Sequence, residues 1–600
     1  MLRHKLAAAL LACGFVAATT PAAVATAAAK PAAAPQPAAW VQKSNAAAQP
    51  LLKVLAEFQP EFASQIGIPG YDTRVSDLKP GVVERANQAI AAAKAGLEKQ
   101  LAAEKDPQVR QDLEIMIHSA DQQIEGNTLN AKYLLPYYDV GQTIFQGEFA
   151  LLQDQVDAKR RPAALARLKC YVGMAPGCEP IVKLAEARTE EKLGDQALLG
   201  PYKGEVEQNL ANTQRYVDGV RQLYAKYKIA GAEPALDALA QQLKDYDAWV
   251  KATVLPRART DFRLPPELYA FNLKQVGVDI TPEQLMQKAE LEFMETQAAM
   301  QMIAPEVARA NGIDAHDYRD VIKALKKEQL DRGSVEPYYH ETIGKIEDII
   351  RRERIVTLPQ RAMQMRLASE AESAAQPAPH MDPPALINNK GERGTFVLTM
   401  GNPSSTGDKS QAYDDFTHKS AAWTLTAHEG RPGHELQFAA MVERGVSLAR
   451  SLFAFNSVNV EGWALYAEAE MLPYEPPAGQ LFALQARLQR AARAFLDPML
   501  NLGLISRERA HDILVHDVGL SEAMTRQELD RYTFRMPGQA TSYFYGYTRL
   551  LQLRAATQIA LGDKFDRQAF NDFVIGQGLL PPDLLAQAVK SEFIPAQMKK

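Results

Sequence analysis

Apolar positions along most of this chain recur every three to four residues, the spacing of one face of an α-helix. Val206, Leu210, Tyr216, Val220 and Leu223 mark such a face between Glu205 and Tyr227. Thr281-Pro282-Glu283-Gln284 reads as a capping box with proline at the first helical position, leading into Leu285, Ala289 and Phe293. Thr525-Arg526-Gln527-Glu528 repeats the device before Leu529 and Tyr532. The clearest strand pattern lies at Gly394-Thr395-Phe396-Val397-Leu398-Thr399-Met400, after an Ala/Pro-rich loop from Ala374 to Pro384. A mostly α fold with a small β-sheet or hairpin follows. We place a lobe boundary near Leu264 to Leu273, giving an N-terminal helical lobe over residues 51–270 and a second over 271–600.

The first 29 residues read differently. Arg3, His4 and Lys5 precede an apolar run from Leu6 to Ala18, and Ala23-Val24-Ala25 or Ala27-Ala28-Ala29 supplies a small-residue cleavage site. That order defines a secretory signal peptide over residues 1–29, followed by an Ala/Pro-rich linker over 30–50. Leu10-Leu11-Ala12-Cys13 loosely matches a lipobox, so a lipid anchor at Cys13 is the alternative fate of the leader. No later run reaches the roughly 18 apolar residues of a spanning helix. The expected protein is exported, periplasmic or secreted, and has no membrane span. Cys170 and Cys178 then remain as an even pair, suited to a disulfide across a short loop. Six hundred residues with a net charge of -5 and no Lys/Arg cluster exclude a nucleic-acid partner.

The candidate chemistry sits at Ala427-His428-Glu429-Gly430-Arg431-Pro432-Gly433-His434, followed by Glu461-Gly462-Trp463-Ala464. Two imidazoles and a carboxylate can hold zinc with one position open for water, and a free glutamate can take the water's proton. The spacing poses a problem. Histidines at i and i+4 share a helix face, but His434 is at i+6, about 240° round a regular helix from His428. Pro432 and Gly433 can break the helix and swing His434 back. Glu435, at i+7, is the fallback ligand of an unbroken helix. Glu429 lies one helical step from His428, beside the metal, where a general base belongs. Glu461 is the third ligand, and Glu468 a carboxylate that orients a ligand histidine. In Pro537-Gly538-Gln539-Ala540-Thr541-Ser542-Tyr543-Phe544-Tyr545, either Tyr543 or Tyr545 can donate to an oxyanion.

These blocks together resemble the bacterial family catalogued as domain of unknown function 885 (DUF885). Its pattern is His-Glu-x-x-Pro-Gly-His, then Glu-Gly-Trp-Ala-x-Tyr, then Pro-Gly-Gln-Ala-x-x-Tyr. The resemblance runs from about Pro60 to the C-terminus. It implies a large two-lobed helical fold with a cleft, akin to zinc metallopeptidases of the thimet oligopeptidase type. It also implies Glu461 as ligand and Tyr543 as the site tyrosine. Two positions depart from the pattern: Glu435 stands where relatives often carry a second histidine, and Asn501 where many carry the histidine of Asp-x-Gly-x-His. The expected function is peptide-bond hydrolysis by a metal-activated water, with one Zn2+ per chain and Glu429 as base. The alternatives are an inactive metal-stabilised binding or scaffold protein, and a zinc hydrolase of a non-peptide amide or ester. The Phe396-to-Met400 strand is expected to align the peptide backbone.

Overall fold

The first helix, α1 (Ala39–Phe58), begins inside the segment expected to be linker. Val41, Ser44, Ala47, Ala48, Leu51, Leu52 and Ala56 form its buried face, so this Ala-rich stretch is helical from Ala39 in spite of Pro50. The computed structural model describes residues 38–401 and 412–600. The leader and Cys13 lie outside the described residues. Among them, no helix is long and apolar enough to cross a membrane.

Helices α2 (Val82–Ala103) and α3 (Pro107–Tyr133) pack with α1. Their core continues into the C-terminal part of the chain: Leu51, Leu97 and Leu113 share one apolar cluster with Trp463, Phe570 and Phe593. A second cluster is built on α4 (Lys203–Lys226) and its neighbours, with Tyr216, Val220 and Leu239. A helix over Pro266–Val276 runs through the predicted lobe boundary. A cut at residue 270 would therefore divide both a helix and a core. The physical reason is that α1 to α3, besides packing on one another, share their apolar core with helices that follow the site. The capping box at Thr281 and Gln284 is formed as read and opens α5 (Pro282–Ala310). Then comes α6 (Arg332–Glu353).

A three-stranded sheet precedes the site: β1 (Gln364–Leu367), β2 (His380–Asp382) and β3 (Thr395–Leu398), in the order β1-β3-β2. β3 runs parallel to β1 and antiparallel to β2, with Phe396 opposite Met365 and Met381. All four β3 residues are buried. The strand legible in the sequence is thus the central one, and it offers no free edge to a peptide. The edge strands are β1 and β2, and His380 and Met381 of β2 line a large cleft.

The helices that carry the site follow: α7 (Lys419–Glu429), α8 (His434–Arg444), α9 (Ser457–Met471), α10 (Pro477–Asn501) and α11 (Ser542–Leu561). α5 packs along α10, where Phe293 meets Phe495 edge-on at 5.4 Å. Earlier in the chain, Cys170 and Cys178 form a disulfide.

Candidate metal centre

The i+6 problem is resolved by a break between two helices. α7 ends at Glu429, Gly430 leaves helical space at φ -96°, ψ -116°, and α8 starts afresh at His434. Gly433 makes the tight return. A Cβ there would lie 2.0 Å from the His428 carbonyl oxygen and 2.3 Å from that of Ala427, so only glycine fits. Trp463 of α9 fastens the turn by donating from Nε1 to the Pro432 carbonyl at 3.0 Å.

The break brings three side chains together. Glu461 Oε2 lies 3.2 Å from His434 Nε2 and 3.6 Å from His428 Nε2. The three ligand atoms fall within 4.8 Å of one another. Among the described residues this is the one His/Cys/Asp/Glu group so arranged. The donor set fits zinc. Two ligands each about 2.1 Å from a tetrahedral ion are separated by about 3.4 Å, close to both observed spacings. Glu461 Oε2 is buried and has no hydrogen-bond partner, as an atom reserved for a cation would be. Burial raises the pKa of Glu461, but the facing imidazoles of His428 and His434 outweigh it and hold this carboxyl well below the usual range.

Neighbouring residues orient the cluster. His428 Nδ1 contacts Glu468 Oε1 at 2.6 Å, and Thr424 donates to Glu468 Oε2 at 2.9 Å. This contact turns His428 Nε2 toward Glu461. Glu468→Gln is expected to weaken zinc binding by about 10- to 100-fold, read by competition with a chelating dye. Unchanged affinity would remove Glu468 from any orienting role. Gln539, from the third sequence block, donates to Glu461 Oε1 at 3.4 Å and to Ser457 Oγ at 2.9 Å.

Glu429 is buried beside the cluster, with Oε1 3.9 Å from His428 Nε2. Burial pushes its carboxyl up to about 8, with His434 opposing the rise and Glu461 adding to it. Tyr543 stacks on His428 at 6.0 Å and 13° between planes. Its phenol oxygen accepts from Arg531 Nη2 at 2.7 Å, which leaves the phenol hydrogen free to donate elsewhere.

Three sequence candidates lie elsewhere. Glu435 is not in the cluster: its Oε2 accepts from Arg431 Nε at 2.6 Å, and Arg431 also reaches Glu347 at 2.7 Å. The new helix start rotates Glu435 away from the site and into a buried ion pair. Tyr545 points to Asp279 and Arg549, two residues along α11 from Tyr543 and on another face. Asn501 donates to the Asp497 and Tyr532 carbonyls at 2.9 and 3.0 Å. Asp497 in turn accepts from Gly538 N, so Asn501 braces the turn before Gln539 without touching the cluster. Arg531, Gln539 and, on α10, Arg490 and Arg493 also stand at the site, and no spacing in the sequence marks them as site residues. Arg487, Arg490 and Arg493 recur every third residue there, which reads equally well as a solvated stripe.

His434, Glu461, Glu429 and Tyr543 line the inner part of a large cleft, with Tyr137, Asn209 and Arg535 among the residues of its other walls.

Fold and site together define a mostly helical protein whose cleft contains a two-histidine, one-glutamate candidate metal centre. The chain belongs to the family of bacterial proteins of unknown function DUF885, whose family model matches residues 60–589. A solved structure described as a "putative lipoprotein" from Colwellia psychrerythraea is similar at TM-score 0.71 and 19% identity, covering 93% of this chain and 99% of that one. Another, a "putative lipoprotein of unknown function" from Shewanella oneidensis, is similar at TM-score 0.68 and 20% identity, covering 92% of this chain and 100% of that one. At these identities the likeness speaks for the fold. No curated protein matches the sequence.

Proposed function

We propose that this protein is an exported zinc-dependent metallopeptidase. The observation that carries the reading is the convergence of His428 Nε2, His434 Nε2 and Glu461 Oε2, with Glu429 beside them and Tyr543 stacked across His428. His428, His434 and Glu461 would hold the ion. When bound, zinc would supply Lewis acidity, acidifying water and polarising a carbonyl oxygen. Glu429 takes the proton from the attacking water and passes it to the leaving amine. Tyr543, its oxygen already engaged by Arg531, donates its hydrogen to the oxyanion that forms on the scissile carbonyl. The strand β2, whose His380 and Met381 line the cleft beside the cluster, borders the path an extended substrate would take.

Two observations favour this over an inactive scaffold. Glu435 and Asn501, the departures from the family pattern, both lie outside the ligand set. Export is supported by the leader and by the Cys170–Cys178 disulfide, a bond that persists in oxidising compartments.

The test is a peptide library incubated with protein carrying about one zinc per chain, with products read by mass spectrometry. Cleavage is expected, lost on chelation and regained with zinc. A library left intact by the loaded protein would overturn the peptidase assignment. Turnover confined to small esters or amides would keep the site and change the substrate class.

A further inference from the structure

A second cavity, of about 80 Å³, adjoins the metal centre. It shares Glu429, Arg531, Tyr543, Ala378 and Pro379 with the walls of the main cleft, so the candidate reaction centre lies where the two meet. Its remaining walls include Gln489, Arg490 and Arg493 of α10. Gln489 is only 5% exposed and Arg490 only 9%, yet Gln489 Nε2 and Arg490 Nε have no hydrogen-bond partner. The Gln489 amide is oriented by Arg490 Nη1, which donates to its Oε1 at 3.4 Å and leaves the amino group free. Unpaired buried donors are uncommon in folded proteins, and two in one cavity wall point to an acceptor that both can reach.

The charges identify that acceptor. Three guanidinium groups, of Arg490, Arg493 and Arg531, line the cavity. Of the three acids in its walls, Glu468 is engaged by His428 and Thr424, Asp415 by Lys326 and Ser521, and Glu429 stands at the junction with the cleft as the candidate base. Arg493 is paired with Glu528, whereas Arg490 makes a 3.3 Å contact with Glu468 through Nη2 and donates from Nη1 to the Ala486 carbonyl and Gln489, which leaves Nε unpaired. Phe482, Leu425 and Met524 add apolar wall, and the small volume limits the pocket to a small group. We infer that this cavity is a substrate subsite for a carboxylate, gripped by the Gln489 amino group and the Arg490 Nε–H. The inference rests on the peptide reading above, since a peptide carries this anion either at its C-terminus or on an aspartate or glutamate side chain.

Binding, not turnover, tests it. The protein is the zinc-loaded full chain with Glu429→Gln, and the probes are short N-terminally labelled alanine peptides followed by fluorescence anisotropy. Each is made as the free acid, as the C-terminal amide, and as an amide containing one glutamate. One of the two anionic forms is expected to bind about 10- to 100-fold more tightly than the neutral amide, the range for hydrogen bonds to a charged group. Preference for the free acid assigns the subsite to the terminal carboxylate, and preference for the glutamate amide assigns it to a side chain. Gln489→Met, which keeps the shape of the side chain, is expected to erase most of the preference, so that the three probes bind with similar affinity. Gln489→Glu is expected to reverse it. Equal affinity for all three probes, or no binding of any, overturns the subsite. Hydrolysis by the wild-type chain is measured separately, so a carboxylate preference without turnover would sink the peptidase assignment alone.

Discussion

Glu429→Gln is expected to keep about one zinc per chain and to lose about 10²- to 10⁴-fold in kcat on any peptide the wild type cleaves. The substitution preserves shape and removes only the ability to hold a proton, and Glu429 lies outside the group formed by His428, His434 and Glu461. Elemental analysis and steady-state kinetics on the same preparation decide the point. Full activity would dismiss Glu429 as the base. Loss of the metal would make it a ligand and force a different donor set. A fall in kcat with metal retained is the signature of an interaction made in the transition state.

The second large effect separates stability from chemistry. Glu435→Ala is expected to retain the metal and to destabilise the fold by about 3 kcal/mol, the cost of leaving a buried arginine short of its partner. Arg431 is 2% exposed and keeps Glu347 as a second acceptor, so the loss belongs at the lower end for broken buried pairs. His434→Ala is expected to do the reverse, abolishing zinc binding with a smaller effect on the metal-free fold. Calorimetry of the metal-free proteins reads the stability term without the contribution of bound zinc. Metal lost in Glu435→Ala and kept in His434→Ala would restore the unbroken helix and its i+7 ligand.

That contrast shows where the sequence was legible. Helical period, the capping box at Thr281, the disulfide pair and the three motif blocks could all be read locally, because each depends on residues close together in the chain. The choice between His434 and Glu435 could not. It depends on the dihedral angles of Gly430 and Gly433, and a sequence shows that glycine permits a break without showing its direction. The sheet misled for a related reason. β3, at the centre of the sheet, carries β-branched and aromatic residues, whereas the edge strand His380-Met381-Asp382 is buried too but has no strand-like composition. The linker reading failed at Ala39 because alanine is both a linker residue and the best helix former, and only tertiary packing distinguishes the two. Gln489 and Arg490 were silent because polar residues at helical spacing normally face water. Here they face a cavity inside the protein.

One contact between α9 and α11 has a mechanical meaning. A Cβ on Gly462 would sit 2.5 Å from the Gly546 carbonyl carbon, and one on Gly546 would sit 1.9 Å from the Val458 carbonyl oxygen. The two helices therefore touch main chain to main chain, with no side chain between them. Gly462 follows Glu461 directly, and Gly546 is three residues from Tyr543. The separation between the candidate ligand and the candidate oxyanion donor is thus gauged by backbone atoms, which cannot change rotamer. Side-chain fluctuations in the surrounding core can shift this pair of helices as a unit, but they have no lever with which to open the gap between them.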